Sequence, residues 1–152
     1  MKTLINNLKS ILEAAVTAGT IVMPTNIEAI NIWKGLQDDP TTMLSLQHFY
    51  IALDDGGERT ENINSGKAQR RYYSVILEMG CYAPDAELSL DYIMDLTNNV
   101  KTVLELQSSR QKDGFIWGVS ITPIALSQDQ HFFRGRQIVI DYYELEDRIF
   151  EY

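Results

Sequence analysis

Two stretches of the chain repeat their apolar residues every three or four positions, which is the spacing of one face of an α-helix. The first lies between Thr3, which can cap the helix, and Gly19, which can end it, so we predict a helix of about four turns. The second covers residues 88–106. The apolar positions are Leu4, Ile5, Leu8, Ile11, Leu12, Ala15 and Val16 in the first helix, and Tyr92, Ile93, Leu96, Val100, Val103 and Leu104 in the second.

Four other stretches have the composition or the alternation of β-strands. Residues 46–53 are apolar on both sides and rich in aromatic residues, whereas residues 70–79 alternate between apolar and polar. Residues 115–121 and 138–142 alternate in the same way, and the polar residues 127–130 predict a hairpin loop between them. Pro123 favours the end or the edge of its strand, because proline has no backbone N–H to donate to a neighbouring strand.

Two connections between these elements are long. We predict a short helix for residues 27–33, within the first connection. The second, residues 54–69, is polar and contains Gly56-Gly57, and it predicts a long flexible loop, which in a compact domain is usually functional. The order of elements predicts an α+β fold, with one domain over residues 1–152. Its expected architecture is a four-stranded antiparallel or mixed sheet with two long helices packed on one face.

The composition is that of a globular and acidic protein. The 152 residues are 45% hydrophobic, and 13 basic against 21 acidic side chains leave a net charge of -8. This charge repels phosphate backbones and argues against sequence-independent binding of nucleic acid. The single cysteine, Cys81, rules out an intrachain disulfide and suits a reducing compartment. No window is apolar for long enough to span a membrane, so we predict a soluble protein that is made and used in a cytoplasm.

No residue pattern predicts a catalytic, metal or cofactor site. His48 and His131 have no partner at the spacing of metal ligands, and Cys81 has no neighbouring histidine. We interpret all three as ordinary structural residues. The adjacent carboxylates Asp38-Asp39 and Asp54-Asp55 are typical of turns, where neighbouring side chains point apart. We therefore expect no enzymatic activity, no cofactor and no metal.

Two clusters combine arginines with aromatic residues at the start of a predicted strand, residues 70–73 (RRYY) and 132–136 (FFRGR). Such clusters can bind nucleic acid. A protein interface is favoured, because tyrosine and arginine are enriched at interface hot spots. The C-terminal residues 142–152 stay apolar and aromatic to the end, and they pack either on their own domain or on a neighbouring subunit. The predicted interface residues are Arg70, Arg71, Arg134, Arg136, Phe150 and Tyr152.

The order of these elements resembles the tail terminator (tail completion) proteins of long-tailed double-stranded DNA bacteriophages. The resemblance is one of layout over nearly the whole chain, with an amphipathic helix, two strands around a long mobile loop, a helix over residues 88–106 and a hairpin over residues 115–145. Members of that family form hexameric rings at the head-proximal end of the tail tube, where they stop its growth and present a surface to the head connector. The resemblance implies a homo-oligomer whose partners are the tail tube protein and a head–tail connector or neck protein. It also implies DNA passing through the lumen, no membrane, assembly in the host bacterial cytoplasm and a place in the virion neck.

In such rings the long loop reaches along the lumen or towards a neighbouring subunit, which implies that role for residues 54–69. A lumen lined with carboxylates would repel DNA and let it slide. The residues that we expect on this surface are Asp54, Asp55, Glu58, Arg59 and Glu61. Two alternatives stay open: another neck or tail-tube subunit, and a small cytoplasmic ligand-binding or regulatory domain that uses a pocket between sheet and helix.

Overall fold

The computed structural model describes residues 2–36, 47–63, 65, 68–105, 115–128 and 131–147. In chain order these form α1 (Lys2–Ala18), β1 (Ala29–Lys34), β2 (His48–Ile63), β3 (Ala68–Ala83), α2 (Ala86–Glu105), β4 (Phe115–Gln128) and β5 (His131–Asp147). Both predicted long helices are present, and each of the four predicted strands overlaps a longer observed strand.

The strands form one mixed sheet in the order β1-β2-β3-β5-β4. β1 and β2 are parallel, and the remaining neighbours are antiparallel. The predicted α+β class with a mixed sheet is therefore confirmed. β4 takes an edge position, which agrees with the preference inferred from Pro123.

β1 is an additional strand, and it corrects the prediction of a short helix for residues 27–33. Ile30 and Ile32 are two residues apart and both pack against the main core, whereas Trp33 packs against a second cluster. That alternation has the period of a strand. β1 pairs with β2 over its whole length, and this tertiary pairing overrides the weak helical pattern.

The prediction of a flexible loop over residues 54–69 is wrong. β2 continues to Ile63 and β3 begins at Ala68, so most of this stretch is an antiparallel ladder with β3. Residues 55–62 are exposed, which is why their sequence lacks the apolar alternation of a half-buried strand. Their extended conformation comes from backbone pairing and cross-strand neighbours, since their side chains are not part of a core.

The main core joins residues of both helices to alternate residues of the central strands. α2 begins at Ala86, where the carboxylate of Asp85 accepts a hydrogen bond from the N–H of Leu88 at 2.7 Å and so caps the helix. In the described part of the chain, no helix is long and apolar enough to cross a membrane. The most buried core residues are Leu8, Leu12, Ile21, Phe49, Ile51, Leu53, Val75, Leu77, Met79, Cys81, Ile93, Leu96, Val100, Val103, Leu104, Ile138, Ile140 and Tyr142.

A smaller aromatic cluster lies on the opposite side of the sheet, since its members alternate with core residues along the strands. The Tyr50 ring stacks on Trp33 with centroids 5.1 Å apart and on Phe133 at 6.2 Å. A Cβ at Gly80 would lie 2.6 Å from both the Tyr50 and the Phe133 ring, so only glycine fits beneath them. The Tyr50 hydroxyl donates to Glu78 at 2.8 Å, and burial together with this carboxylate raises the pKa of Tyr50.

We expect Leu77→Ala to lower the free energy of unfolding by about 2–5 kcal/mol, because it leaves a cavity in the main core. Leu77 is 0% exposed, whereas Leu90 on α2 is 37% exposed and provides a control with the same chemical change. Leu90→Ala should cost less than about 1 kcal/mol. Urea denaturation of the two variants measures the difference, and equal losses would contradict this assignment of the core.

Candidate functional site

The polar half of the long β2–β3 hairpin, together with the end of β5 beside it, forms a projection of the sheet, which we call the arm. It consists of residues 54–63 of β2, 68–74 of β3 and 141–147 of β5, which remain paired to the ends of their strands. β1 pairs with β2 only as far as Leu53. Among the described residues, the outer side of residues 54–63 therefore has no neighbouring strand, and we call this stretch the arm edge.

A β-bulge marks the point where the arm begins. The register of β2 against β3 shifts between Asp55 and Glu58, so that two residues of β2, Gly56 and Gly57, stand opposite the single residue Ser74 of β3. Gly57 has a φ of 106°, which other residues rarely adopt, and its N–H donates to the Asp55 carboxylate at 2.8 Å. A Cβ on Gly56 would stand 2.8 Å from the Ser74 carbonyl oxygen. The glycine pair thus builds a defined bulge and does not serve as a flexible loop.

The adjacent carboxylates at the bulge accept hydrogen bonds from backbone N–H groups. Asp54 accepts from Leu36 at 3.0 Å and from Asp55 at 2.7 Å, while Asp55 accepts from Gly57. The hydrogen bond from Leu36 connects the segment that follows β1 to β2. The prediction of a turn at Asp54-Asp55 is corrected, because both residues lie within β2, where their carboxylates bond backbone groups beside the bulge. The other pair, Asp38-Asp39, lies outside the described residues.

On the arm itself, the structure brings predicted loop residues together with predicted interface residues. The Arg59 guanidinium lies over the Tyr72 ring, 4.0 Å from its centroid, a cation–π contact. The Tyr72 hydroxyl also lies 3.4 Å from Nη1 of Arg70. Arg70 pairs across the strands with Glu61. Arg71 belongs to the same arm, opposite Thr60 and Glu144 in register.

The second pair of predicted interface arginines lies in the other half of the sheet. Arg134 pairs with Cys81, and its Nε donates to the Ser89 hydroxyl at 3.1 Å, which connects β5 to the first turns of α2. Arg136 pairs with Met79. The four predicted interface arginines therefore fall into two separate groups, of which only Arg70 and Arg71 are on the arm. Phe150 and Tyr152 lie outside the described residues.

The histidines and the cysteine have structural surroundings. His48 connects the parallel strands: its Nδ1 lies 3.2 Å from the Asn31 side-chain amide, and its Nε2 lies 3.7 Å from a Glu28 carboxylate oxygen. His131 is the first residue of β5. Cys81 is buried in the main core, and burial raises the pKa of its thiol to about 12, against a smaller lowering by Arg134. The described residues contain no group of three or more His, Cys, Asp or Glu that could hold a metal ion.

Two small cavities adjoin the bulge, and no local sequence pattern indicates either of them. The larger, about 290 Å³, lies between the first turns of α1 and the start of the arm, and its charged lining residues are Lys2, Lys34, Asp54 and Asp55. The smaller, about 200 Å³, lies on the other side of the bulge. There the Ser74 hydroxyl donates to the Asp141 carboxylate at 2.6 Å. The larger cavity is lined by residues of α1, β1 and β2, and the smaller by residues of β2, β3 and β5. Only tertiary structure brings these residues together.

Comparisons with known proteins add no family to this description. The sequence matches none of the protein-family models against which it was compared, and none of the curated proteins is similar to it. The functional assignment therefore depends on the residues and on the geometry of the arm.

We expect Gly56→Ala to destabilise the protein by about 1–3 kcal/mol, because the added methyl group would press on the Ser74 carbonyl and move β2 from β3. Gly57→Ala should cost a similar amount through backbone strain at a φ of 106°. Thr60→Ala, at an exposed position of the same strand, is the control and should change stability by less than about 0.5 kcal/mol. Urea denaturation tests all three; wild-type stability of both glycine variants would rule out the bulge.

We expect the Cys81 thiol to resist alkylation in the folded protein. With its pKa raised from 9.0 to about 12, the thiolate fraction at pH 8 is about a thousandfold lower than in the unfolded chain. Iodoacetamide labelling followed by mass spectrometry, with and without urea, measures the two rates, and Cys81→Ser controls for labelling elsewhere. The raised pKa also predicts that stability falls as the pH rises from 9 towards 12, because only the unfolded chain then releases this proton readily. Comparable labelling rates in the two states would refute the buried position.

Proposed function

We propose that the protein is a structural virion protein, a phage tail terminator that forms a ring, ends growth of the tail tube and joins the tail to the head connector. The observation that carries this proposal is the arm. Its residues 55–62 are exposed and contribute no side chain to a core, yet β2 stays paired with β3 beyond the bulge, from Glu58 to Ile63. A long strand pair with an open edge is suited to contacts with other chains, since unpaired N–H and C=O groups are a template for another strand.

The layout of the chain supports the same proposal. The sequence resembles the tail terminator family in its order of elements. The observed order of helix, hairpin, helix and second hairpin agrees with that layout, with β1 as an additional strand before the first hairpin. The position where the family carries a long loop is occupied here by the arm. A closed ring requires a heterologous interface, in which one patch meets a different patch on the next subunit. The arm and the rest of the sheet offer two such different surfaces.

The charges of the arm suit a channel for DNA. Asp54, Asp55, Glu58 and Glu61 lie on the arm edge with a single basic residue, Arg59. In the proposed ring this edge faces the lumen or the neighbouring subunit, and its carboxylates keep DNA from adhering as it passes. Arg70 and Arg71, on the adjacent strand, are the proposed contacts to a neighbouring subunit. The proposed activity is assembly and not catalysis, with the tail tube protein and the head–tail connector as partners in the virion neck.

Two alternatives are distinguishable from this proposal. Another neck or tail-tube subunit would use the same arm, and only its place in the particle would differ. A small ligand-binding domain is favoured by one observation, the cavity of about 290 Å³ between α1 and the sheet, although this lies at the lower limit of typical ligand sites. Light scattering after size-exclusion chromatography separates the classes, because a monomer that stays monomeric with tail tubes present supports the ligand-binding domain.

We expect loss of this protein to give tails of uncontrolled length, since a terminator stops polymerisation of the tube. Electron microscopy of particles lacking it measures the length distribution. Complementation with the wild-type chain should restore a single length, and the Glu58→Lys/Glu61→Lys variant should fail to do so. Glu87→Lys/Asp95→Lys reverses two exposed carboxylates on α2 and is the matched control, which should complement.

The complementation result counts only for variants that keep the wild-type urea midpoint. Tails of normal length without the protein would reject the terminator function. Full complementation by the arm variant would reject the role of the arm while leaving the terminator function in place.

A further inference from the structure

The edge strand β4 is unusual because it carries no charge. Its 14 residues, Phe115–Gln128, include no Lys, Arg, Asp or Glu. Edge strands of soluble proteins are commonly protected by charged residues, prolines, bulges or short length, because an unprotected edge pairs with other chains. β4 is long, and its only such features are Pro123 and a register shift between Ile116 and Gly118. A long uncharged edge indicates a strand that is covered in the functional state.

Pro123 defines which backbone groups of β4 point away from the sheet. β4 pairs with β5 alone, and a proline is compatible with an edge strand where its missing N–H would have pointed outwards. Backbone groups alternate along a strand, so Val119, Ile121, Ala125 and Ser127 share the direction of Pro123. Their N–H and C=O groups have no strand partner among the described residues. These groups are the available side of a β-ladder.

On the opposite side of the same sheet, the described strands have two open edges, the short outer edge of β1 and the longer arm edge. The arm edge is the one considered for pairing with β4. Its ten residues extend for about 33 Å, which fits within the length of about 46 Å of β4. Two arm edges cannot pair well with each other, because Asp54, Asp55, Glu58 and Glu61 would face a second set of the same carboxylates. β4 has no charge to oppose them.

We propose that β4 of one copy pairs with the arm edge of a second copy, so that the sheet continues from subunit to subunit. The partner is thus another molecule of this chain. The contact is heterologous, because each subunit pairs through its arm edge with one neighbour and through β4 with the other. Such a contact repeats around a ring or along a filament. Its closure into a hexamer rests on the proposed function, whereas the pairing of the two edges does not.

Cross-linking between introduced cysteines, with the buried Cys81 left in place, tests the pairing directly. Thr60→Cys places an exposed thiol on the arm edge, and Ser120→Cys places a thiol within β4. The two variants, one carrying an affinity tag, are mixed and treated with a short bis-maleimide, which tolerates a shift of one or two residues in register. We expect a cross-linked dimer in the mixture only. Thr102→Cys, an exposed threonine on α2, replaces Thr60→Cys in the control mixture and should give no product above the wild-type background from Cys81.

Each other outcome overturns the proposal. Product from Ser120→Cys alone means that two β4 edges pair around a two-fold axis. Product from Thr60→Cys alone means that the arms pair with each other, and no product in the mixture at the highest soluble concentration means that the edges do not meet. If Ser120→Cys shifts the urea midpoint, Thr122→Cys replaces it.

The double variant Thr60→Cys/Ser120→Cys then separates this inference from the proposed function. A ladder that ends at the hexamer supports both, and a ladder of any other length supports the edge pairing and rejects the hexameric ring.

Discussion

The backbone pairing of β3 with strands on both of its sides is the interaction on which the rest of the structure depends. β3 pairs with β5 along all of its 16 residues, from Ala68↔Asp147 to Ala83↔Phe132, and with β2 from Phe49↔Cys81 to Ile63↔Ala68. This ladder positions the alternate residues Val75, Leu77 and Met79 in the main core. It also holds the polar residues of the arm in an extended conformation that their side chains would not stabilise alone.

The bulge at Gly56 and Gly57 divides the hairpin into two parts with different physical roles. On one side of it, β2 lies between β1 and β3, and Phe49, Ile51 and Leu53 are buried. On the other side, β2 is the edge strand and the side chains of residues 58–62 are exposed. Asp54 and Asp55 stabilise this transition, because their carboxylates accept hydrogen bonds from backbone N–H groups. The acidic residues that form the candidate surface thus begin where the core ends.

The sequence predicts the part of the candidate site whose residues are neighbours in the chain. It does not predict the contacts between residues far apart in the chain. Asp54, Asp55, Glu58, Arg59 and Glu61 were identified as one surface because they follow one another in the sequence, and they do lie on one strand edge. Arg134 was grouped with Arg70 by composition alone. The structure separates them, because Arg134 contacts Ser89 at the start of α2, 45 residues earlier in the chain. The cavities beside the bulge and the Ser74–Asp141 hydrogen bond join residues far apart in sequence and had no local pattern.

The sequence by itself determined the two helices, the α+β class and the strands whose side chains are half-buried. Apolar residues recur about every second position in a half-buried strand and about every 3.6 positions along one face of a helix. That period is visible without any tertiary contact. Only the tertiary structure decided that residues 29–34 are a strand and that residues 54–63 extend β2 into an arm. β1 exists because β2 offers it a parallel partner, and the arm exists because β3 and β5 continue beside it. Backbone hydrogen bonds between distant segments depend little on side-chain type, so they leave no periodic pattern in the sequence.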